Sequence, residues 1–187
     1  MKILAFATTN SRQSINKQLV TYAATKMAES SDAPLKIEVV DMNDYEMPIY
    51  SPERENDHGI PASAHRFFNQ LKDADGLLIS FAEYNGSYTT AFKNVFDWTS
   101  RISMQLFGDT PTLLMSASPG PNGGKMVLET AVKTLPYFGA DIVGSYSVAH
   151  FYDNFDKSKQ QFSNETCQLE LDTVLQSALA RMSNSTN

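Results

Sequence analysis

Ala82-Glu83-Tyr84-Asn85-Gly86-Ser87-Tyr88-Thr89-Thr90-Ala91-Phe92-Lys93-Asn94-Val95-Phe96-Asp97-Trp98 changes character twice within a few residues. It follows Gly76-Leu77-Leu78-Ile79-Ser80-Phe81, a continuous apolar run that reads as a strand buried on both faces. Phe92, Val95, Phe96 and Thr99, flanked by Ala91 and Trp98, then fall at helical spacing, with Thr89 or Thr90 as the cap. Glu83 to Tyr88 therefore join the carboxyl end of a buried strand to the amino end of a helix. In an open α/β sheet that crevice is where ligands sit. Asn85-Gly86 permits positive φ and close backbone approach to a flat molecule. Tyr84 and Tyr88 supply aromatic faces, and Asn85 and Ser87 supply donors and acceptors. Asn-Gly also marks ordinary surface turns, so the turn by itself does not separate the two readings.

Working outward, Lys2 to Thr8 reads as a first buried strand, and Thr8-Thr9-Asn10-Ser11-Arg12-Gln13-Ser14 as a polar loop. Ile15, Leu19, Val20, Ala23 and Met27 share a helix face capped by Ser14. Strand, polar loop and helix start form a layout suited to a phosphate dianion. Hydroxyls of Thr9, Ser11 and Ser14, the amides of Asn10 and Asn16, the Arg12 charge and free backbone N–H groups gather there. Capping is the ordinary role of Ser14 and Asn16, and a solvated charge that of Arg12. The loop lacks the glycines of a Walker loop or of a GxGxxG turn, which excludes a nucleoside triphosphatase.

Lys36 to Asp41, rich in β-branched residues, predicts a second strand at the sheet edge or next to it, and Met42 to Ile60 a long polar loop. Pro61 opens a helix whose Ala64, Phe67, Phe68 and Leu71 face the sheet. Pro111 to Ser118 is a fourth strand, followed by the irregular Pro119-Gly120-Pro121-Asn122-Gly123-Gly124. A helix through Val127, Leu128, Ala131, Val132 and Leu135 must kink or tighten at Pro136 and end at Gly139. Ile142 to Val148 is the fifth strand. A final helix is expected over about 164–182, with residues 183–187 frayed. Strands alternating with helices imply an α/β fold with a parallel sheet covered on both faces. The chain of 187 residues reads as a single domain, 1–187.

A formal net charge of -6 with scattered basic residues argues against nucleic acid as a partner. Cys167 stands alone, which suits a reducing compartment, and His58, His65 and His150 are too dispersed for a metal site. The apolar run at Ile3 to Ala7 is shorter than a secretory h-region and no run is long enough to span a bilayer, so a cytoplasmic protein with no membrane partner is expected. Without export, the Asn-x-Ser/Thr triplets at Asn85, Asn164 and Asn184 carry no meaning. No GxSxG elbow follows any strand, which argues against a serine hydrolase.

Ala82-Glu83-Tyr84-Asn85-Gly86-Ser87, then Phe92-Lys93-Asn94, then Asp97-Trp98, resembles the Pro-Glu-Tyr-Asn-Gly-Ser, Leu-Lys-Asn and Asp-Trp segments of the NADPH-dependent FMN reductase family. The first loop resembles that family's Gly-Ser-x-Arg-x-x-Ser-x-Asn, with Thr8-Thr9 for Gly-Ser and one residue fewer between Arg12 and Ser14. Pro48-Ile49-Tyr50 resembles its Pro-x-Tyr, and Gly123-Gly124 its Gly-Gly. The likeness runs from Met1 to Val148. It implies a flavodoxin-like three-layer sandwich with strand order 2-1-3-4-5, an order that periodicity alone does not choose.

The resemblance also implies bound FMN. Thr9, Asn10, Ser11, Arg12, Ser14, Ile15 and Asn16 would lie at its phosphate, and Glu83, Tyr84, Asn85, Gly86 and Ser87 along its ring. Ser116, Ser118, Gly120 and Gly123 would border the pyrimidine edge. Hydride would pass from NAD(P)H through FMN to a flavin, quinone, azo or similar small-molecule acceptor, which asks for no catalytic side chain. A homodimer or homotetramer is implied, with Phe92, Phe96, Trp98 and Phe107 as either subunit-contact or core aromatics. The alternatives are a flavodoxin-like electron carrier and a non-enzymatic flavin-binding module.

Overall fold

The computed structural model describes residues 1–185. Five parallel strands, β1 (Lys2–Ala7), β2 (Lys36–Val40), β3 (Gly76–Phe81), β4 (Thr110–Ala117) and β5 (Ala140–Val148), form one sheet in the order β2-β1-β3-β4-β5. This is the flavodoxin-like order, with β2 on an edge. Helices α1 (Ile15–Glu29) and α7 (Glu165–Ser185) cover one face; α3 (Ala62–Lys72), α4 (Thr90–Thr99) and α5 (Lys125–Thr134) cover the other. Period-two alternation explains why the central strands read as unbroken apolar runs. In β3, Leu78 joins the core under α1 and α7 while Leu77 and Ile79 join the opposite core, all fully buried.

The helix starts follow from their caps. Ser14 Oγ accepts the N–H groups of Asn16 and Lys17, and Thr89 Oγ1 accepts that of Phe92 at 3.2 Å. Pro136 tightens the chain into a 3-10 turn over Leu135–Phe138, and Gly139 ends it at φ 83.

The segment expected as a loop from Met42 to Ile60 instead carries a 3-10 turn, Met42–Tyr45, and a short helix, α2 (Pro52–His58). Asp41 and Ser51 cap these turns, and Glu53 and Glu55 sit in the first turn of α2, where acidic side chains favour a helix start over a loop. Asn94 and Trp98 hold this segment against α4. Asn94 Nδ2 donates to the Met47 carbonyl (3.0 Å), Asn94 Oδ1 accepts from Tyr50 N–H (2.9 Å), and Trp98 Nε1 donates to the Pro48 carbonyl (2.7 Å). Phe92, Phe96, Trp98 and Phe107 are all buried within the chain. They fill its core, which removes them as subunit-contact aromatics.

After β5, a one-turn helix α6 (Phe151–Asn154) and a hairpin pairing Phe155 with Phe162 pack over α1. Phe155 and Phe162 meet the Tyr22 ring edge-on at 5.8 Å and 5.3 Å. Asn164 caps α7, which continues to Ser185 rather than fraying from residue 183. The remainder of the expected frayed tail, residues 186–187, lies outside the described residues. Among the described residues, no helix is long and apolar enough to cross a membrane.

The Asn16 side chain joins the central strands. Its Oδ1 accepts from Ala117 N–H (2.8 Å) and Ser80 Oγ (2.9 Å), and its Nδ2 donates to the Ala117 carbonyl (3.1 Å). All of these groups are buried, so Asn16→Ala would orphan a buried backbone N–H, a carbonyl and a hydroxyl. Urea unfolding of that variant is expected to show a loss of about 3 kcal/mol; a loss below about 1 kcal/mol would contradict the assignment.

Asp41 ties the end of β2 to Lys17 on α1. Burial pushes its carboxyl up, but hydrogen bonds from Lys17 and Asn43 and the Lys17 charge together hold it below the usual aspartate value. A carboxyl depressed on folding contributes stability above its unfolded pKa and loses it as pH falls through the folded one. The stability gap between the wild type and Asp41→Asn should therefore shrink below about pH 4; a gap that widens there would sink the linkage.

Candidate functional site

The loops that follow β1, β3 and β4 emerge at one rim, where strand order reverses between β1 and β3. Thr8 binds the first to the second. Its N–H donates to the Ser80 carbonyl (2.9 Å), its Oγ1 accepts Ala82 N–H (3.1 Å), and its carbonyl accepts Thr89 Oγ1–H (2.6 Å). Thr9 Oγ1 then accepts Ser11 N–H at 3.1 Å, turning the loop toward Ser14. Among the hydrogen bonds of the described residues, none is made by the backbone N–H groups of Arg12, Gln13 and Ile15. Ser14 Oγ accepts two N–H groups and keeps its own proton to donate. Free donors at a helix start, with no carboxylate among the described residues paired to Arg12, fit a phosphate dianion.

The second loop is a hairpin, with Glu83 opposite Tyr88 and Tyr84 opposite Ser87. Asn85 and Gly86 close it at φ 53 and 73, the pair of positive values that a two-residue primed turn requires. Of its two tyrosines, only Tyr84 presents a face outward, at 51% exposure. Tyr88 turns inward against Phe81 and Phe92, at 5.6 Å and 5.4 Å. Glu83 Oε2 accepts Val127 N–H (3.0 Å) in the first turn of α5, whose N-cap, Gly124, offers no side chain. The carboxylate thus caps a neighbouring helix and ties the second loop to the third.

The third loop is shaped from behind. The Gly123 carbonyl accepts both Ser116 Oγ (2.7 Å) and Ser147 Oγ (3.0 Å). At φ 60, a Cβ on Gly123 would lie 2.3 Å from Ser147 Oγ and 2.9 Å from Ala149 N, so only glycine fits. The Gly120 carbonyl accepts Ser118 Oγ (3.2 Å) and His150 N–H (3.0 Å), and Phe151 N–H donates to the Ser118 carbonyl (3.1 Å).

Together the loops enclose an open cleft of about 230 Å³. Ser11, Ser14, Ile15, Asn16, Glu83, Tyr84 and Ser118 from the expected set line it. Arg12 lies in an adjoining groove that shares Ser14, and Asn10 in a second hollow of about 280 Å³ reached past Tyr84. That hollow also has Met42, Met47, Ile49, Thr90 and Asn94 on its walls. Thr9, Asn85, Gly86, Ser87, Ser116, Gly120 and Gly123 do not line the cleft; Thr9, Ser116, Gly120 and Gly123 hold the loops in shape through the bonds above. Sequence reasoning left out Gln13, Ala82, Ala117, Pro119 and Tyr152 as lining residues. The first four are neighbours of predicted ones, whereas Tyr152 sits beyond the fifth strand, where no motif pointed. Among the described residues, no cluster of His, Cys, Asp or Glu is arranged to hold a metal.

Known proteins resemble this chain in sequence and in fold. The chain is 28% identical over 160 residues to an uncharacterized protein of Mycoplasma pneumoniae, covering 83% of this chain and 91% of that one. It is 34% identical over 124 residues to the 2-hydroxy-1,4-benzoquinone reductase of Burkholderia sp., an alignment covering 66% of this chain and 63% of that enzyme. The solved structure of FerB, a flavoenzyme NAD(P)H:(acceptor) oxidoreductase from Paracoccus denitrificans, superposes with a TM-score of 0.76 at 20% identity, covering 98% of this chain and 97% of that one, a likeness of fold. The family profile described as NADPH-dependent FMN reductase matches residues 1–153, and the chain belongs to that family of oxidoreductase enzymes.

Proposed function

We propose that the cleft beside Tyr84 holds FMN and that the protein is an NAD(P)H-dependent reductase of quinones or similar two-electron acceptors such as azo compounds and free flavin. The observation that carries this reading is the convergence of unpaired N–H donors at the start of α1, the outward face of Tyr84 and the Ser118 loop on one open cleft. FMN held there would supply the redox chemistry, the two-electron exchange between a nicotinamide and an acceptor whose protons come from the hydride and from solvent.

The chain's own residues bind and orient. Ser11, Ser14 and the N–H groups of Arg12, Gln13 and Ile15 hold the phosphate, with the Arg12 guanidinium adding positive field from its groove. Asn10 and Thr9 shape that loop. Tyr84, carried on the hairpin that Asn85 and Gly86 close, borders the ring, and Ser118 with the loop fixed by Ser116, Gly120 and Gly123 edges the pyrimidine side. Glu83 serves by keeping the two ring-side loops together. No side chain acts as nucleophile or proton donor. The Burkholderia relative's name favours a quinone among the acceptors, and the hollow past Tyr84, where Met47 and Ile49 share the walls with Asn10, Thr90 and Asn94, offers one both apolar contact and hydrogen-bond partners. A homodimer or homotetramer in the cytoplasm belongs to the same reading; Ile49, 66% exposed beside that hollow, is available to a second copy.

Purified protein is expected to take up FMN, lose its visible absorbance under anaerobic NADPH and regain it when benzoquinone is added. Retention of FMN without bleaching by NADPH would point to an electron carrier, and failure to take up FMN would overturn the reading. Ser14→Gly should leave α1 nearly intact, since glycine at an N-cap costs only about a few tenths of a kcal/mol. It should weaken FMN binding by about tenfold through the lost hydroxyl. Unchanged affinity would take Ser14 out of the phosphate site.

A further inference from the structure

Tyr152 lines the cleft together with Ser11, Ser14, Tyr84 and Ser118, although it follows the fifth strand and belongs to no motif. We infer that Tyr152 is a cofactor-positioning wall whose aromatic face packs on the bound flavin; this rests on the FMN reading above.

The surrounding contacts hold the residue in place. His150 turns the chain at φ 47, a left-handed conformation uncommon in a non-glycine residue and held here by backbone contacts. These contacts run from His150 N–H to the Gly120 carbonyl and from Phe151 N–H to the Ser118 carbonyl, so α6 is fastened directly to the third cleft loop. Phe151, 1% exposed, stacks on Phe155 at 4.8 Å, anchoring the one-turn helix in the core beneath. Its neighbour Tyr152 is left 64% exposed, facing the cleft rather than the core. An exposed aromatic on its own is ordinary. Tyr137, 79% exposed, is such a residue and lines none of these hollows. Tyr152 differs because it borders the cleft on the Ser118 side while Tyr84 borders it from the hairpin. A flat, electron-poor heterocycle beside Tyr152 gains contact with an aromatic side chain whose backbone is already fastened, which limits the ordering that opposes binding.

The test titrates FMN into the full-length protein and its Tyr152→Ala, Tyr152→Phe and Tyr137→Ala variants, following the affinity and the emission of the bound flavin, which a tyrosine in contact quenches. Because Tyr152 is largely exposed, none of these changes opens the core, and thermal unfolding of each apo variant checks that. Tyr152→Ala should weaken FMN binding by about tenfold and brighten the bound flavin. Tyr152→Phe, which keeps the face, should bind within about twofold of the parent, and Tyr137→Ala should match the parent in both readouts. If the parent binds FMN and Tyr152→Ala is indistinguishable from Tyr137→Ala, this inference falls while the FMN reading stands. A Tyr152→Phe variant as weak as Tyr152→Ala would also overturn it, by assigning the contact to the hydroxyl. A parent that binds no FMN would bring down both.

Discussion

The buried carboxamide of Asn16 is the contact on which the rim depends. It bonds both the N–H and the carbonyl of Ala117 at the end of β4, and it takes the hydroxyl of Ser80 at the end of β3. One side chain from the first turn of α1 thus stands in for a backbone partner where the parallel ladder opens into loops. A parallel sheet splays its strand ends at the point where strand order reverses. The opening is useful only if its walls stay in register. Asn16 closes the far end of that opening; Thr8 closes the near one through Ala82 and Thr89.

Behind these ties lies a division of labour among polar residues that a sequence presents as alike. Ser14, Ser116 and Ser147 are all small hydroxyl residues near the rim, but Ser116 and Ser147 face backward to grip the Gly123 carbonyl and Ser14 faces the cleft at the helix start. Glu83 caps α5 across a loop boundary, so its charge is spent on architecture. The result is a cleft framed by backbone N–H groups, hydroxyls and aromatic faces. Such a lining suits a ligand that brings its own reactivity.

Much of this was legible in the sequence because the signals were local. The apolar runs at Ile3 to Ala7 and Gly76 to Phe81, the caps Ser14 and Thr89, and the Asn85-Gly86 turn each depend on neighbours in the chain, and each appears as expected. Strand order came from the family resemblance, since alternation fixes which residues are buried but not which strands are adjacent. What sequence reading missed depended on distant partners. The Met42 to Ile60 segment looked irregular because its turns are short and its seat against α4 is set by Asn94 and Trp98, far along the chain. Tyr88 resembled Tyr84 until its packing against Phe81 and Phe92 set the two apart. Tyr152 reached the cleft through backbone bonds to Ser118 and Gly120 that no spacing rule anticipates.

The central claim is that three separated segments form one binding surface, and backbone hydrogen exchange reads that surface directly. With FMN added, amides of Arg12, Gln13 and Ile15, which have no acceptor within the described chain, should slow together with those of the hairpin around Asn85 and Gly86 and of the loop from Ser118 to Gly124. Protection confined to one of these segments, or appearing elsewhere on the molecule, would contradict the account.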